Sequence, residues 1–343
     1  MDCTGARRPG NAIETNHSAG LLDMDKPFDV ISVGSTLLRL SVPPGERLET
    51  APVFQVHTAG TESNTMVALA RLGLRTAWVS RLRDNPLGRR VANEIRYHGV
   101  DTSRIVWAEA GRNEVFFVEY GASPRPTQVI YDRAHSALAG LSLADLDLDF
   151  VLSGRVLHLT GILPALSPGL AGLTGELMDR ARQAGVAVSF DLNYRAKLWP
   201  PEEAARVLKP LLRKADLLFV TQEDAAGVLG LEGRPEEVAA ELQRAYQPRV
   251  SLVTLGGRGG LAFDGRDYFR TGGYEVEVQD RLGAGDCFSA GVLCGWLEGS
   301  LQTGLDFGAA MAALKLGLHG DYFVSDRQEV LRLLSAGGRE VGR

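Results

Sequence analysis

The chain has 343 residues, 45% of them hydrophobic and 23% charged, which is enough to bury a sizeable core and excludes a disordered or collagen-like chain. Its 37 basic side chains against 42 acidic ones leave a net charge of −5, which argues against non-specific nucleic-acid binding. Three cysteines without a CxxC fit a reduced, cytoplasmic setting; no apolar run approaches the roughly 18 residues of a membrane span, and the first stretch lacks the apolar segment of a signal peptide.

Residues 1–26 are polar and aperiodic and are expected to be a disordered tail, or a start read too far upstream with Met24 as the true one. Residues 28–34 (FDVISVG) read as a buried first strand that 37–40 extend, before a turn at Pro43-Pro44-Gly45. Residues 53–57 alternate like a half-exposed strand, 62–72 carry apolar side chains at helical spacing and stop at Gly73, and 76–80 form a strand. Asn85-Pro86 opens a helix to about residue 98, closed by Gly99. Two alternating segments, 114–120 and 127–132, flank a Gly/Pro-rich turn and predict a β-hairpin.

From residue 140 a regular alternation begins. Strands at 156–160, 186–191, 217–221 and 250–255 are separated by helices at 168–184, 202–214, 222–229 and 235–246. A meander follows at 261–264, 268–271 and 274–278, then helices at 284–298, 303–318 and from 326, and a short tail at 336–343. Buried strands separated by amphipathic helices predict an α/β fold: a doubly wound, mostly parallel sheet with helices on both faces. A small β lid would come from insertions near 35–58 and 112–135, so that residues 27–335 make one domain.

The segment richest in chemistry is Asp280-Arg-Leu-Gly-Ala-Gly-Asp-Cys-Phe288, which follows the meander and opens a helix. Gly283, Ala284 and Gly285 can aim backbone N–H groups at one point, where the helix dipole also favours an anion. Asp286, set in that turn, suits a base that takes a hydroxyl proton while the amides hold charge on a phosphoryl group. On these residues alone Asp286 could equally be a helix cap in a tight turn.

The string GAGDCFSAG resembles the signature of the ribokinase, or phosphofructokinase-B, family of sugar kinases, and residues 28–335 are similar to that family throughout. The strings LHLTGILPALSP (157–168), FDLNYRAKLW (190–199), VIYDR (129–133) and GDYFVSDRQEVL (320–331) resemble its 2-keto-3-deoxygluconate kinase branch. The resemblance implies transfer of the γ-phosphoryl group of ATP to the primary hydroxyl of a 2-keto-3-deoxy sugar acid, with Asp286 as base and Gly283, Ala284 and Gly285 as anion hole. Mg²⁺ would accompany ATP, held mostly by phosphates and water; no metal site of the protein's own is expected. The lack of a GK[ST] P-loop fits the same family.

Further roles follow from the matched positions. Gly60, Thr61, Glu62, Ser63 and Asn64 would contact the sugar, the alternative being an ordinary loop entering a helix. Phe116 would face the sugar from the lid. Arg133 and Arg195 would read the substrate carboxylate, which a guanidinium binds through two parallel hydrogen bonds. Asn193, Thr221, Thr254, Gly256, Gly257, Arg258 and Gly259 would serve the nucleotide, with Gly283 and Gly285. Gly257-x-Gly259-x-x-Ala262 also fits a loose dinucleotide pattern, but a strand rather than a helix is predicted next, which argues against NAD. Glu223 and Asp224 could meet Mg²⁺ through water or simply complement a helix dipole.

Ser35, Ala59, Thr61, Phe116 and His135 depart from the residues usual in the family, and all lie on the expected sugar side. The donor chemistry is therefore better specified than the acceptor, and a neutral-sugar kinase or a non-catalytic sugar-binding descendant stays open. Apolar lid residues Phe54, Val56, Phe116 and Val118 are expected to form a half-exposed face that pairs with a second copy.

Overall fold

The computed structural model describes Asp23, residues 25–121 and residues 123–336. The expected tails fall almost wholly outside these described residues. In chain order the strands are β1 (Phe28–Val33), β2 (Leu37–Ser41), β3 (Gln55–Ala59), β4 (Thr76–Val79), β5 (Arg81–Arg83), β6 (Val106–Ala108), β7 (Val115–Glu119), β8 (Gln128–Asp132), β9 (Gly154–Thr160), β10 (Ala187–Asp191), β11 (Leu217–Thr221), β12 (Val250–Thr254), β13 (Gly260–Phe263) and β14 (Tyr268–Thr271).

Eight of them form one sheet, ordered β14-β13-β12-β11-β10-β9-β1-β4. From β12 to β4 every pairing is parallel, whereas β13 and β14 add an antiparallel edge. Successive strand residues point to opposite faces, and this sheet buries both. Val30, Val156, Leu217, Phe219 and Leu252 pack with the helices Thr61–Arg71, Pro86–Tyr97, Ala284–Leu297 and Leu301–Leu316. Ile31, Leu157, Leu218, Val220 and Val253 pack on the other side with Pro168–Gln183, Pro201–Leu212 and Pro235–Tyr246. Covering both faces explains why these strands read as continuous apolar runs.

The small sheet is ordered β3-β2-β7-β8, with β2 and β7 parallel and the other pairs antiparallel. Residues 37–40 therefore do not extend β1. The chain breaks at Gly34-Ser35-Thr36 and β2 begins a second sheet. Glycine at position 34 leaves room for the Glu62 side chain, which a Cβ there would have to push aside.

Register assigns the lid's two faces. Row His57–Arg39–Phe116–Tyr131 lies on one face and row Val56–Leu40–Phe117–Ile130 on the other. The expected apolar face of Phe54, Val56, Phe116 and Val118 thus mixes two sides. Phe116 and Val118 are buried with Leu37 and Ala59, while Phe54, Val56 and Ile130 remain exposed.

Residues 274–278 form no strand despite their alternation. After Gly272-Gly273 the chain leaves the sheet edge; Tyr274 packs on the core, and the Gln279 amide donates to the Leu316 carbonyl at 2.8 Å. Strands β5 and β6, a short parallel pair beside the main sheet, had no expectation in the sequence.

Candidate active site

A cleft open to solvent lies between the lid and the C-terminal ends of the parallel strands. Ligand clefts in open α/β sheets characteristically form at such strand ends. The core side supplies Gly60, Thr61, Glu62, Asn64, Gly283 and Asp286, the lid supplies Phe116, Tyr131 and Arg133, and the loop after β10 supplies Arg195, Lys197 and Leu198. Ser63 does not line the cleft. One helical residue on from Glu62 it turns inward, where it shares a 2.8 Å hydrogen bond with Thr36 and donates to the Gly60 carbonyl.

Asp286 lies in the first turn of helix Ala284–Leu297, whose N-cap Gly283 sits at φ +84. Gly283 is irreplaceable in this turn: besides its left-handed backbone, an added Cβ would meet the Asp321 carbonyl. The first intrahelical bond runs from the Cys287 amide to the Gly283 carbonyl, so the amides of Ala284, Gly285 and Asp286 precede it, and Gly283 has no side chain with which to cap them. A helix start in this condition suits an anion.

The Asp286 carboxylate Oδ2 accepts a 2.7 Å hydrogen bond from Asn64 Nδ2, and Asn64 Oδ1 accepts from the Gly60 amide at 3.2 Å. Burial pushes the Asp286 carboxyl up to about 6, against the pull of Asn64, Arg195 and Thr61. Burial also raises Glu62 and Asp191 to about 7, and the charge of Asp286 adds to both shifts. Glu62 accepts from the Thr160 hydroxyl at 2.6 Å, and Asp191 Oδ1 accepts from the Asn193 amide at 3.1 Å. Three carboxyl groups, Asp286, Glu62 and Asp191, therefore have elevated affinity for protons, and two of them, Glu62 and Asp286, line the cleft.

On the lid side Phe116 and Tyr131 stack at 5.5 Å between ring centroids. Arg133 donates to the Ser35 hydroxyl at 3.0 Å and to Glu114 at 3.2 Å, and its buried Nε has no partner. Ser35, one of the departures noted in the sequence, is thus part of a Glu114–Ser35–Arg133 cluster. His135 adopts φ +55, a left-handed conformation that glycine takes more easily than any other residue. Arg195 is exposed at the mouth of the cleft. Sequence reasoning missed Lys197, whose Nζ donates to the Val129 carbonyl of the lid and lies 5.9 Å from the Tyr131 ring centroid. It also missed Tyr131 itself, although this residue alternates in phase with Val129 in a predicted strand.

Of the residues expected to serve the nucleotide, Gly283 lines this cleft, whereas Asn193, Thr221, Thr254 and residues 256–259 do not. They lie along the ends of β10, β11 and β12, where Thr221 and Thr254 are register partners. Thr221 Oγ1 caps the following turn through the Asp224 amide at 2.9 Å. Asn193 adopts φ +41 and leaves a buried Oδ1 without a partner. Gly256 and Gly259 take φ +59 and +89, and Arg258 donates to Gln222 at 3.0 Å. The next element, β13, is a strand antiparallel to β12, so the glycine spacing here is not that of a dinucleotide fold. Among the described residues no group of three or more His, Cys, Asp or Glu side chains is placed to hold a metal, and no helix is long and apolar enough to cross a membrane.

A family model described as pfkB family carbohydrate kinase matches residues 28–327. The chain belongs to this family. It is 40% identical over 316 residues to the 2-dehydro-3-deoxygalactonokinase of Haloferax volcanii, covering 92% of this chain and 99% of that one. It is 31% identical over 320 residues to the 2-dehydro-3-deoxygluconokinase of Bacillus subtilis, covering 90% and 96%. The crystal structure of 2-dehydro-3-deoxygluconokinase from Thermotoga maritima superposes with a TM-score of 0.85 at 35% identity, covering 90% and 99%. As a pfkB kinase the chain has the ribokinase-like fold and is an ATP-dependent carbohydrate kinase.

Proposed function

We propose that the chain phosphorylates the primary hydroxyl of a 2-keto-3-deoxy sugar acid, with 2-keto-3-deoxygluconate as the leading acceptor. The observation that carries this reading is the composition of one cleft. Asp286, held by Asn64, stands at the start of a helix with free amides, and three cations, Arg133, Arg195 and Lys197, line the same space. A neutral sugar would not need those cations, whereas a carboxylate would.

In the reaction the acceptor hydroxyl gives its proton to Asp286 as its oxygen bonds to the γ-phosphorus. The bond from that phosphorus to the bridging oxygen breaks, and ADP leaves with the electron pair. The amides of Ala284 and Gly285 hold the charge on the phosphoryl oxygens. Phe116 and Tyr131 cover the sugar and exclude water, the competing acceptor. Thr221, Thr254 and the glycine turn 256–259 receive the nucleotide, together with Asn193 and Arg258. Mg²⁺ carried with the nucleotide would offset phosphate charge.

A second reading, the galactonate epimer, is favoured by the 40% identity to the Haloferax enzyme, whose printed name is 2-dehydro-3-deoxygalactonokinase. The two acids differ only at C4. Phosphorus NMR of the product, with kcat/KM for each epimer, tests both: a phosphomonoester on the primary carbon of a 2-keto-3-deoxy acid supports the reading, and no product from either acid refutes it.

The setting belongs to the same proposal. Cys287 and Cys294 are buried and free, which suits a reducing cytoplasm. The outward lid row of Val56, Phe117 and Ile130, with Phe54 beside it, would pair with a second copy, and sedimentation at rising concentration measures that.

A further inference from the structure

Beneath the anion hole lies a buried cluster of charge that the transfer chemistry does not use. Arg39, from the cleft-facing row of lid strand β2, is 0% exposed. One guanidinium nitrogen donates to Asp280 Oδ2 at 2.5 Å and to the Tyr120 hydroxyl, and the other donates to Asp321 Oδ1. Lys315, also 0% exposed, donates only to backbone carbonyls, those of Asp280 at 3.3 Å and Leu318 at 3.2 Å. Two cations and two carboxylates thus balance within the protein.

The anchors of this cluster are the residues that shape the catalytic turn. Asp280 Oδ1 accepts from the Leu282 amide at 3.1 Å, which bends the chain toward Gly283. Its Oδ2 accepts from the Gly320 amide at 3.2 Å. Asp321, next in sequence, supplies the carbonyl that packs on the Gly283 α-carbon, and it also lines the cleft. Arg39 therefore bridges the two segments, 280–283 and 320–321, that define where the free amides point. It does so from a lid strand on which its register neighbour is Phe116.

We propose that Arg39 is a positioning residue for phosphoryl transfer: by clamping Asp280 to Asp321 it fixes the anion-hole turn and ties that turn to the lid strand covering the sugar. The idea rests on the reading of Asp286 and its helix start as the reacting centre. Buried pairs contribute little net stability but leave a strongly disfavoured charge when one partner is removed. Their placement between the two segments that shape the turn accordingly points to geometry. A shift on the order of 1 Å in a positioning element can lower turnover by about 10²-fold.

The test uses the full chain with Arg39→Lys and Arg39→Met. Lysine keeps the charge but cannot reach both carboxylates in a fork. Two readouts are taken on each folded variant. Hydrogen exchange of the peptide spanning residues 280–288 needs no acceptor and should quicken by about tenfold or more, with the β9–β12 strands unchanged. Turnover on whichever acceptor the wild type uses should fall by about tenfold in Arg39→Lys and by about 10²-fold in Arg39→Met, while KM for the sugar stays within about threefold. A wrong acceptor assignment would leave the exchange result standing, so the two failures separate. Unchanged exchange at 280–288 overturns the proposal, as does a raised KM with unaltered kcat. Deprotection spread evenly over the chain, or failure of both variants to fold, would assign Arg39 to stability instead and equally overturn it.

Discussion

Replacing Asp286 by Asn removes the proposed base and keeps its shape. The new amide oxygen can still accept from Asn64, and the helix start is untouched. Two effects of opposite sign follow. Loss of a general base lowers kcat by about 10²–10⁴-fold. Stability moves the other way. Burial holds the Asp286 carboxyl at about 6 in the folded protein against an ordinary 3.8. A shift of that size is worth about 3 kcal/mol at about 1.4 kcal/mol per pKa unit, an upper figure for a site that water can reach. Because the folded value is the higher one, the native state is disfavoured where Asp286 is ionised, above about pH 6, and the penalty fades as pH falls toward the ordinary value. Asp286→Asn should therefore melt higher than wild type at pH 8, by up to about 6 °C given roughly 2 °C per kcal/mol for a large domain. That advantage should shrink toward zero by about pH 4. Calorimetry at the two pH values and ADP release at pH 8 measure both effects. Turnover within fivefold of wild type, or a melting difference that does not depend on pH, would refute the assignment of Asp286 as a buried base.

Gly283→Ala should lose most activity and destabilise the chain by about 1–2 kcal/mol from its left-handed backbone alone. Melting and turnover check this, and a variant as active as wild type would remove Gly283 from the anion hole. Arg133→Met should raise KM for a sugar acid by about 10–100-fold, the worth of a charged hydrogen bond, and leave a neutral sugar's KM alone. Equal effects on both classes would detach Arg133 from the carboxylate. The pH dependence of kcat/KM should show an acidic limb near 6, where Asp286 takes up its proton. A profile flat down to pH 4 would mean that some other group accepts the proton.

Much of the fold was legible because the sheet is covered on both sides. Continuous apolar runs at 156–160, 217–221 and 250–255 have few competing interpretations, and β9, β11 and β12 lie where those runs do. The turn proposed to carry the anion hole could be located for a different reason: its glycines and aspartate are contiguous. What failed depended on distant partners. Leu37–Leu40 is as apolar as the strand before it, and only the parallel partner β7, some eighty residues on, places it in the second sheet. Tyr274–Val278 alternates like a strand, yet it has left the sheet edge and has no neighbour to pair with.

The site shows the same division. Thr61 and Asn64, three apart on a helix, share the cleft face. That much was available from helical geometry. Lys197 was not, since its partner Val129 lies 68 positions away on the lid. Arg39 was the least visible: its carboxylate partners are 241 and 282 positions distant, and nothing in LLRLS marks the arginine as buried.

The central claim is that this carbohydrate kinase takes a sugar acid rather than a neutral sugar. A coupled ADP-release assay across 2-keto-3-deoxygluconate, its galactonate epimer, fructose and ribose tests it directly. The expected result is saturable turnover on at least one of the two acids with kcat/KM at least about 10²-fold above either neutral sugar, the discrimination expected when a substrate lacks the charged group that the site's polar side chains are placed to meet. Preferential turnover of fructose or ribose would contradict the account.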